Sequence, residues 1–205
     1  MKSDGPNSNR AKAQTKEQRT CYTHFTEEGV QSIYEPDRVR LETIDGKLIE
    51  ERVHPRKAFE GHTLQTTWDR QHLAYFSGYA IWNYLNTPFM FVTESAKAEE
   101  IDPVSDQGTV RRRLKITFPE KVGTHCPDQI FHVDENGLIA RLDYTTLVAG
   151  GAPAAHYMSE YKNIQGIMMP TKRRAFRRNL DGTLNAESVL VGIDISAITL
   201  TYEKH

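Results

Sequence analysis

The chain has 205 residues, with 26 basic against 27 acidic side chains and a formal charge of −1. That balance leaves no global field to recruit nucleic acid or an anionic membrane, and the length suits one domain able to bury most of its surface. Cys21 and Cys126 lie far apart and in no CxxC arrangement, so the sequence suggests neither a disulfide framework nor a zinc knuckle and points to a reduced compartment.

The opening Met-Lys-Ser-Asp-Gly-Pro lacks the apolar stretch of a signal peptide. No later segment is apolar for the roughly 18 residues that a membrane helix requires. The expectation is a cytoplasmic protein with no membrane insertion. Residues 1–20 are rich in Lys, Arg, Asn, Gln and Ser and have little to bury, which predicts a disordered tail. Residues 21–205 then read as a single antiparallel β domain interrupted by one helix over 67–86.

From Val30 onward, turn signals recur at Asp45-Gly46, Asn136-Gly137, Gly150-Gly151, Gln165-Gly166 and Asp181-Gly182. Such spacing favours many short antiparallel strands over βαβ units. The long helical candidate begins near Thr67, its expected N-cap, with Asp69 suited by charge to the first turn and Pro88 just past the end. Helical spacing gathers Trp68, His72, Tyr75, Tyr79 and Trp82 on one stripe, and Leu73, Phe76, Ala80 and Tyr84 on its neighbour. The second stripe is ordinary core material. The first carries rings with polar handles, which can either pack as core or line a cavity that grips and orients an apolar ligand.

After the helix, Phe89 to Thr93 reads as a short strand, and Glu94 to Gly108 as an acidic surface loop placed where a lid could lie. Leu114, Ile116 and Phe118 alternate with polar neighbours, and so do Val189, Val191, Ile193 and Ile195. Pro119 and Pro170 belong at strand ends or on an edge. A two-residue turn at Asn136-Gly137 would pair Val133 with Ala140, Phe131 with Leu142, His132 with Arg141, Ile130 with Asp143 and Gln129 with Tyr144. One face of that hairpin is then apolar. The other carries His132, Arg141 and Asp143, with His156 on a nearby strand. Turned inward, that set could bind a carboxylate or shuttle a proton. An antiparallel sheet commonly leaves one face wet, however, so the expectation is a solvated network.

Asp69 and His72, three apart on the helix, are spaced for a carboxylate to orient an imidazole base, with Tyr75 or Tyr79 as acid. An ordinary ion pair has the same spacing, and no GxSxG accompanies it. Eight histidines are present, yet no HExxH, HxH or other ligand spacing occurs, so no metal is expected. The runs Arg111-Arg112-Arg113 and Lys172-Arg173-Arg174 would be divided between two strand faces, which argues against nucleic-acid binding. The absence of a P-loop or Rossmann fingerprint argues against a nucleotide cofactor, and no cofactor is expected.

Gln129-Ile130-Phe131-His132-Val133-Asp134, then Leu142-Asp143-Tyr144, then His156-Tyr157-Met158-Ser159-Glu160-Tyr161 running on through Gly166 to Pro170, resemble the last strands of LolA/LppX-type lipoprotein-carrier folds. The resemblance covers about 80 residues. It implies a half-barrel closed by helices around an acyl-chain cavity, and no functional residue carries over with it. The lack of an export signal argues against lipoprotein shuttling in the periplasm.

The fold expectation is therefore mainly β (α+β): a curved antiparallel sheet or half-barrel packed around one long aromatic-rich helix. The functional expectation is a soluble intracellular protein binding a lipophilic small molecule, with Trp68, Trp82, Tyr144, His132, Arg141, Asp143 and His156 as ligand-binding residues. The alternative is a cofactor-independent cyclase, isomerase or hydrolase using His72, Asp69, Tyr75 and Tyr79. The sequence leaves the oligomeric state open.

Overall fold

The structure, a computed structural model, describes residues 10–179 and 182–202, apart from the side chains of 186–188. The described residues fall into two compact units, where the sequence reading expects one. The first comprises the chain up to Ser95 with Pro119–His125 and Val148–Gly150; the second comprises Ala96–Phe118, Cys126–Leu147 and the chain from Gly151 onward.

The first unit holds a five-stranded antiparallel meander: β1 (Arg10–Ala13), β2 (Thr20–Thr23), β3 (Val30–Glu35), β4 (Arg38–Thr43) and β5 (Leu48–Val53). The short 3-10 turn Pro55–Phe59, the helix α1 (Arg70–Asn86) and the single turn α2 (Met90–Thr93) follow. Described residues 10–20 are not a tail. Arg10–Ala13 pairs with Thr20–Thr23, and the Trp82 indole N–H lies 2.7 Å from the Gln14 carbonyl and 2.8 Å from that of Glu17. Composition misses this because backbone groups, rather than apolar side chains, hold the segment. Residues 1–9, the rest of the expected tail, lie outside the described residues.

Asp69, two residues beyond Thr67, is the cap of α1. Its carboxylate accepts the His72 backbone N–H at 2.7 Å, an N-cap bond of the usual kind. The buried side of α1 packs on β3 and β4, where Val30, Val39, Leu41, Phe25 and Ala74 form one cluster. Gly78 is the point of closest approach: a Cβ built there would fall 2.2 Å from the Tyr34 Cβ. This offsets the helix-propensity cost of glycine.

The second unit is a seven-stranded antiparallel meander: β6 (Lys97–Asp106), β7 (Thr109–Thr117), β8 (Asp128–Val133), β9 (Ile139–Thr146), β10 (Ala152–Ile164), β11 (Ile167–Arg178) and β12 (Leu184–Asp194). The expected acidic loop over 94–108 is mostly the edge strand β6. It is turned onto β7 by Gln107-Gly108, both at positive φ, which suits a tight hairpin. Its charges and the Pro103 at its register shift are what an unpaired edge tolerates. The expected strand over Phe89–Thr93 is instead α2.

The β8–β9 hairpin keeps the expected pairs Phe131–Leu142, His132–Arg141 and Ile130–Asp143, but Val133 pairs with Ile139 after a register shift. The two-residue turn is replaced by a wider loop because the Asp134 carboxylate accepts the N–H groups of both Asn136 and Leu138. Pro119 follows the end of β7. Pro170 lies inside β11, beyond Lys172, where the partner strand β12 ends, so its missing N–H costs no ladder bond on that side.

Candidate functional site

Two clusters gather the residues that the sequence singles out, one in each unit. In the first, Asp69 and His72 close a reciprocal capping box: the Asp69 N–H points to His72 Nδ1 at 3.3 Å, and His72 Nε2 lies 3.1 Å from the Ala58 carbonyl. His72 Nδ1 also lies 2.9 Å from the Asp69 carboxylate. Both nitrogens are thus committed, so the pair is built as a cap rather than as a base with a free lone pair. Asp69 also meets Arg52 at 2.7 Å. Partial burial raises its pKa, but the hydrogen bonds from Arg52 and the His72 backbone prevail and hold it at about 2.

Tyr75, Tyr79 and Trp82 are all buried to within 1 %. Tyr75 lies edge-on to both Tyr34 and Tyr79, while Phe59 makes ring contacts with Trp68, His72 and Tyr75. Tyr79 and Tyr84 bracket His125, their hydroxyls 3.0 Å from Nδ1 and Nε2 respectively. Burial, with help from the Arg56 charge, pushes the His125 pKa down to about 3. A neutral ring here donates to one phenol and accepts from the other. Tyr75, Tyr79 and Trp82 of the stripe therefore pack as core of the first unit, the tips of Tyr79 and Trp82 met by protein groups, while Trp68 is half-buried. His125 and Tyr34, both distant from the helix in sequence, are the partners that helical periodicity could not reveal.

The second cluster overturns the expectation of a wet face. His132, Arg141 and Asp143 are 2 %, 6 % and 8 % exposed. The Arg141 guanidinium grips Asp143 with two bonds, Nε to Oδ1 at 2.6 Å and NH2 to Oδ2 at 3.0 Å. Its NH1 reaches Asp106 at 2.7 Å and the Tyr157 hydroxyl at 3.0 Å, and that hydroxyl donates to Asp106 at 2.8 Å. His132 Nε2 lies 3.2 Å from Asp143, Arg111 Nε 3.2 Å from Asp106, and Arg178 Nε 3.9 Å from Asp143.

Asp106 sits at the tip of the β6–β7 hairpin, and Arg141 on β9. Their contact requires the sheet to coil so that the hairpin tip comes over this face, an exaggeration of the ordinary strand twist. Burial works against the charge of Asp143, but the hydrogen bonds from His132 and Arg141 outweigh it and hold the carboxyl below its usual range; Tyr157 and Arg141 do the same for Asp106. The sequence reading missed Asp106, Arg111, Tyr157 and Arg178. Extending the pairing by one strand would have placed Tyr157 beside Arg141, whereas only the coil brings in Asp106.

His156 is not part of this set. It pairs with Leu142 and so projects to the opposite face with Tyr144. The centre of that face is apolar, with Ile116, Phe131, Leu142, Ala154, Met158 and Ala175 around the two ring residues, all under 8 % exposed, while buried Gln129 and Arg173 lie on the same side. Arg112 projects to the same side as this face and pairs with Glu100, whereas Arg111 and Arg113 belong to the polar side, so the basic run is divided as expected.

Among the described residues no group of three or more His, Cys, Asp or Glu is arranged to hold a metal ion, and no helix is long and apolar enough to cross a membrane. No family profile and no curated protein matches the sequence. Among solved structures, the chain is similar to a LolA superfamily protein from Nitrosomonas europaea, at 13 % identity and a TM-score of 0.55, covering 98 % of this chain and 83 % of that one. A putative outer membrane lipoprotein-sorting protein domain from Vibrio parahaemolyticus aligns at 11 % identity and a TM-score of 0.49, over 87 % and 69 % of the two chains. A DUF1329 family protein from Desulfovibrio piger aligns at 14 % and 0.46, over 78 % and 64 %.

Proposed function

From a LolA-like fold spanning nearly the whole chain rather than its last third alone, we propose that the protein binds a lipophilic small molecule on the apolar face of the seven-stranded sheet. The observation that carries this reading is the make-up of that face. Small Ala154 and Ala175 lie among Phe131, Leu142, Met158 and Ile116, with Tyr144, His156, Gln129 and Arg173 as buried polar members. Apolar walls with a small number of placed polar groups are what a lipophilic ligand needs for grip and orientation. Tyr144 and His156 thus keep the ligand-binding role that the sequence suggests, while the helix stripe supports the scaffold. The acid–base alternative draws no support from His72, whose two nitrogens are both engaged. A cytoplasmic setting belongs to the proposal and is supported by Cys21 and Cys126, which are not joined to each other by a disulfide.

The test is native mass spectrometry of the purified chain, followed by titration with a fluorescent fatty-acid analogue and a polyprenol. Saturable one-to-one binding is expected, weakened about tenfold or more by Ala154→Phe or Ala175→Phe in variants whose circular dichroism is unchanged. Absence of saturable binding to the wild-type chain would overturn the proposal.

A further inference from the structure

The polar face of the same sheet carries a second feature, independent of the lipophilic reading because it lies on the opposite side of the strands. Three guanidiniums, those of Arg111, Arg141 and Arg178, face two carboxylates, Asp106 and Asp143. Among the described residues, one guanidinium of this largely buried cluster has no carboxylate counterpart. Desolvated unpaired charge is costly, and native structures seldom leave it so.

The hydrogen bonds show where the deficit lies. Arg141 spends its donors on Asp143, Asp106 and Tyr157. Arg178 approaches Asp143 Oδ2 only to 3.9 Å, and its buried Nε has no hydrogen-bond partner. His132 gives Nε2 to the same oxygen, at 3.2 Å, and keeps a buried, unpartnered Nδ1 at 2 % residue exposure. The Arg178 Nε is therefore a donor without an acceptor beside that carboxylate oxygen, whereas Nδ1 of a His132 that donates through Nε2 is an acceptor and offers nothing to an anion. Ala155, set between β9 and β11, leaves room for the long Arg178 side chain to lean toward Asp143. Arg178 and Arg111 keep side-chain exposures of 24 % and 16 %, so the cluster opens to solvent at these two guanidiniums and is closed at Arg141 and both carboxylates.

We propose that this cluster is a binding site for one carboxylate group, held by Arg178 with Arg111 beside it. A carboxylate carries the single negative charge that is lacking, and its planar pair of oxygens matches the fork of a guanidinium, as Asp143 already demonstrates with Arg141. The same group is offered by a small free acid and by the head of a fatty acid, and the two are told apart by chain length.

The experiment is isothermal titration of the full chain with acetate, octanoate and inorganic phosphate at low ionic strength, against wild type, Arg178→Gln and Arg174→Gln. Arg174 lies on the same strand and face but is held by Asp194 outside the cluster. Expected is saturable binding of acetate and octanoate, weakened at least tenfold by Arg178→Gln and unaltered by Arg174→Gln. Equal affinity for the two acids identifies a small free carboxylate as the natural guest; tighter octanoate identifies a fatty-acid head. Binding of phosphate alone, binding insensitive to Arg178→Gln, or no saturable heat would each overturn the assignment. Far-ultraviolet circular dichroism confirms that the variants are folded.

Discussion

Arg141 shows how one side chain can hold a coiled sheet together. It joins β9 to Asp106 on β6 and Tyr157 on β10 while gripping Asp143 on its own strand. Removing one partner of a buried ionic group leaves the others desolvated and uncompensated, at a typical cost of about 3–5 kcal/mol. Arg141→Met is therefore expected to lower the free energy of unfolding in urea by that amount, whereas Arg174→Gln, breaking an exposed pair, should cost about 1 kcal/mol or less. His125 makes a different prediction. Its folded pKa of about 3 lies below the ordinary 6.5, so between those values the unfolded chain binds the extra proton and stability rises with pH. Below pH 6.5 the slope should approach about 1.4 kcal/mol per pH unit, and it should vanish above that value. Asp106 and Asp143, held below their usual range, lose their contribution only at lower pH. Urea unfolding of wild type and His125→Gln between pH 5 and 7 separates the two effects: the variant should have the flatter profile.

At the scale of the element, α1 is instructive because two of its small features oppose simple propensity. Glycine inside a helix costs about 1 kcal/mol relative to alanine, so propensity alone favours Gly78→Ala. The added Cβ would meet Tyr34 at 2.2 Å, and overpacking of that kind costs typically 1–3 kcal/mol. The substitution is expected to lower the melting temperature. Asp69→Ala removes the cap and should cost about 1 kcal/mol by chemical denaturation. The helix, its aromatic stripe and the Asp69–His72 spacing were legible from period and residue type. The role of the stripe was not, because polar-tipped rings look alike whether their tips meet a ligand or, as here, His125 and the backbone of Gln14 and Glu17. The β8–β9 pairing was legible through alternation. Its turn was misread because the Asp134 side chain competes for the N–H groups that a two-residue turn would have left to the strands.

For the molecule as a whole, a ligand that binds only the folded chain should stabilise it by mass action, by about 2.7 kcal/mol at a hundredfold excess over Kd. Thermal unfolding with and without a saturating fatty-acid analogue checks this, and an unchanged melting temperature would count against a lipophilic guest. The sequence by itself determined the mainly antiparallel β class, the single long helix and most turn positions, since period-2 and period-3.6 patterns and Gly-containing turns are local properties of the chain. It also carried enough of the strand pattern for the LolA-like architecture to be recognised. The tertiary structure alone decided which face of each element is dry. His132, Arg141 and Asp143 alternate as a solvated row would, and only the coiling of seven strands, which brings Asp106 across from the far hairpin, takes them out of water. Burial depends on contacts between residues remote in sequence, and no local pattern encodes how far a sheet will curl.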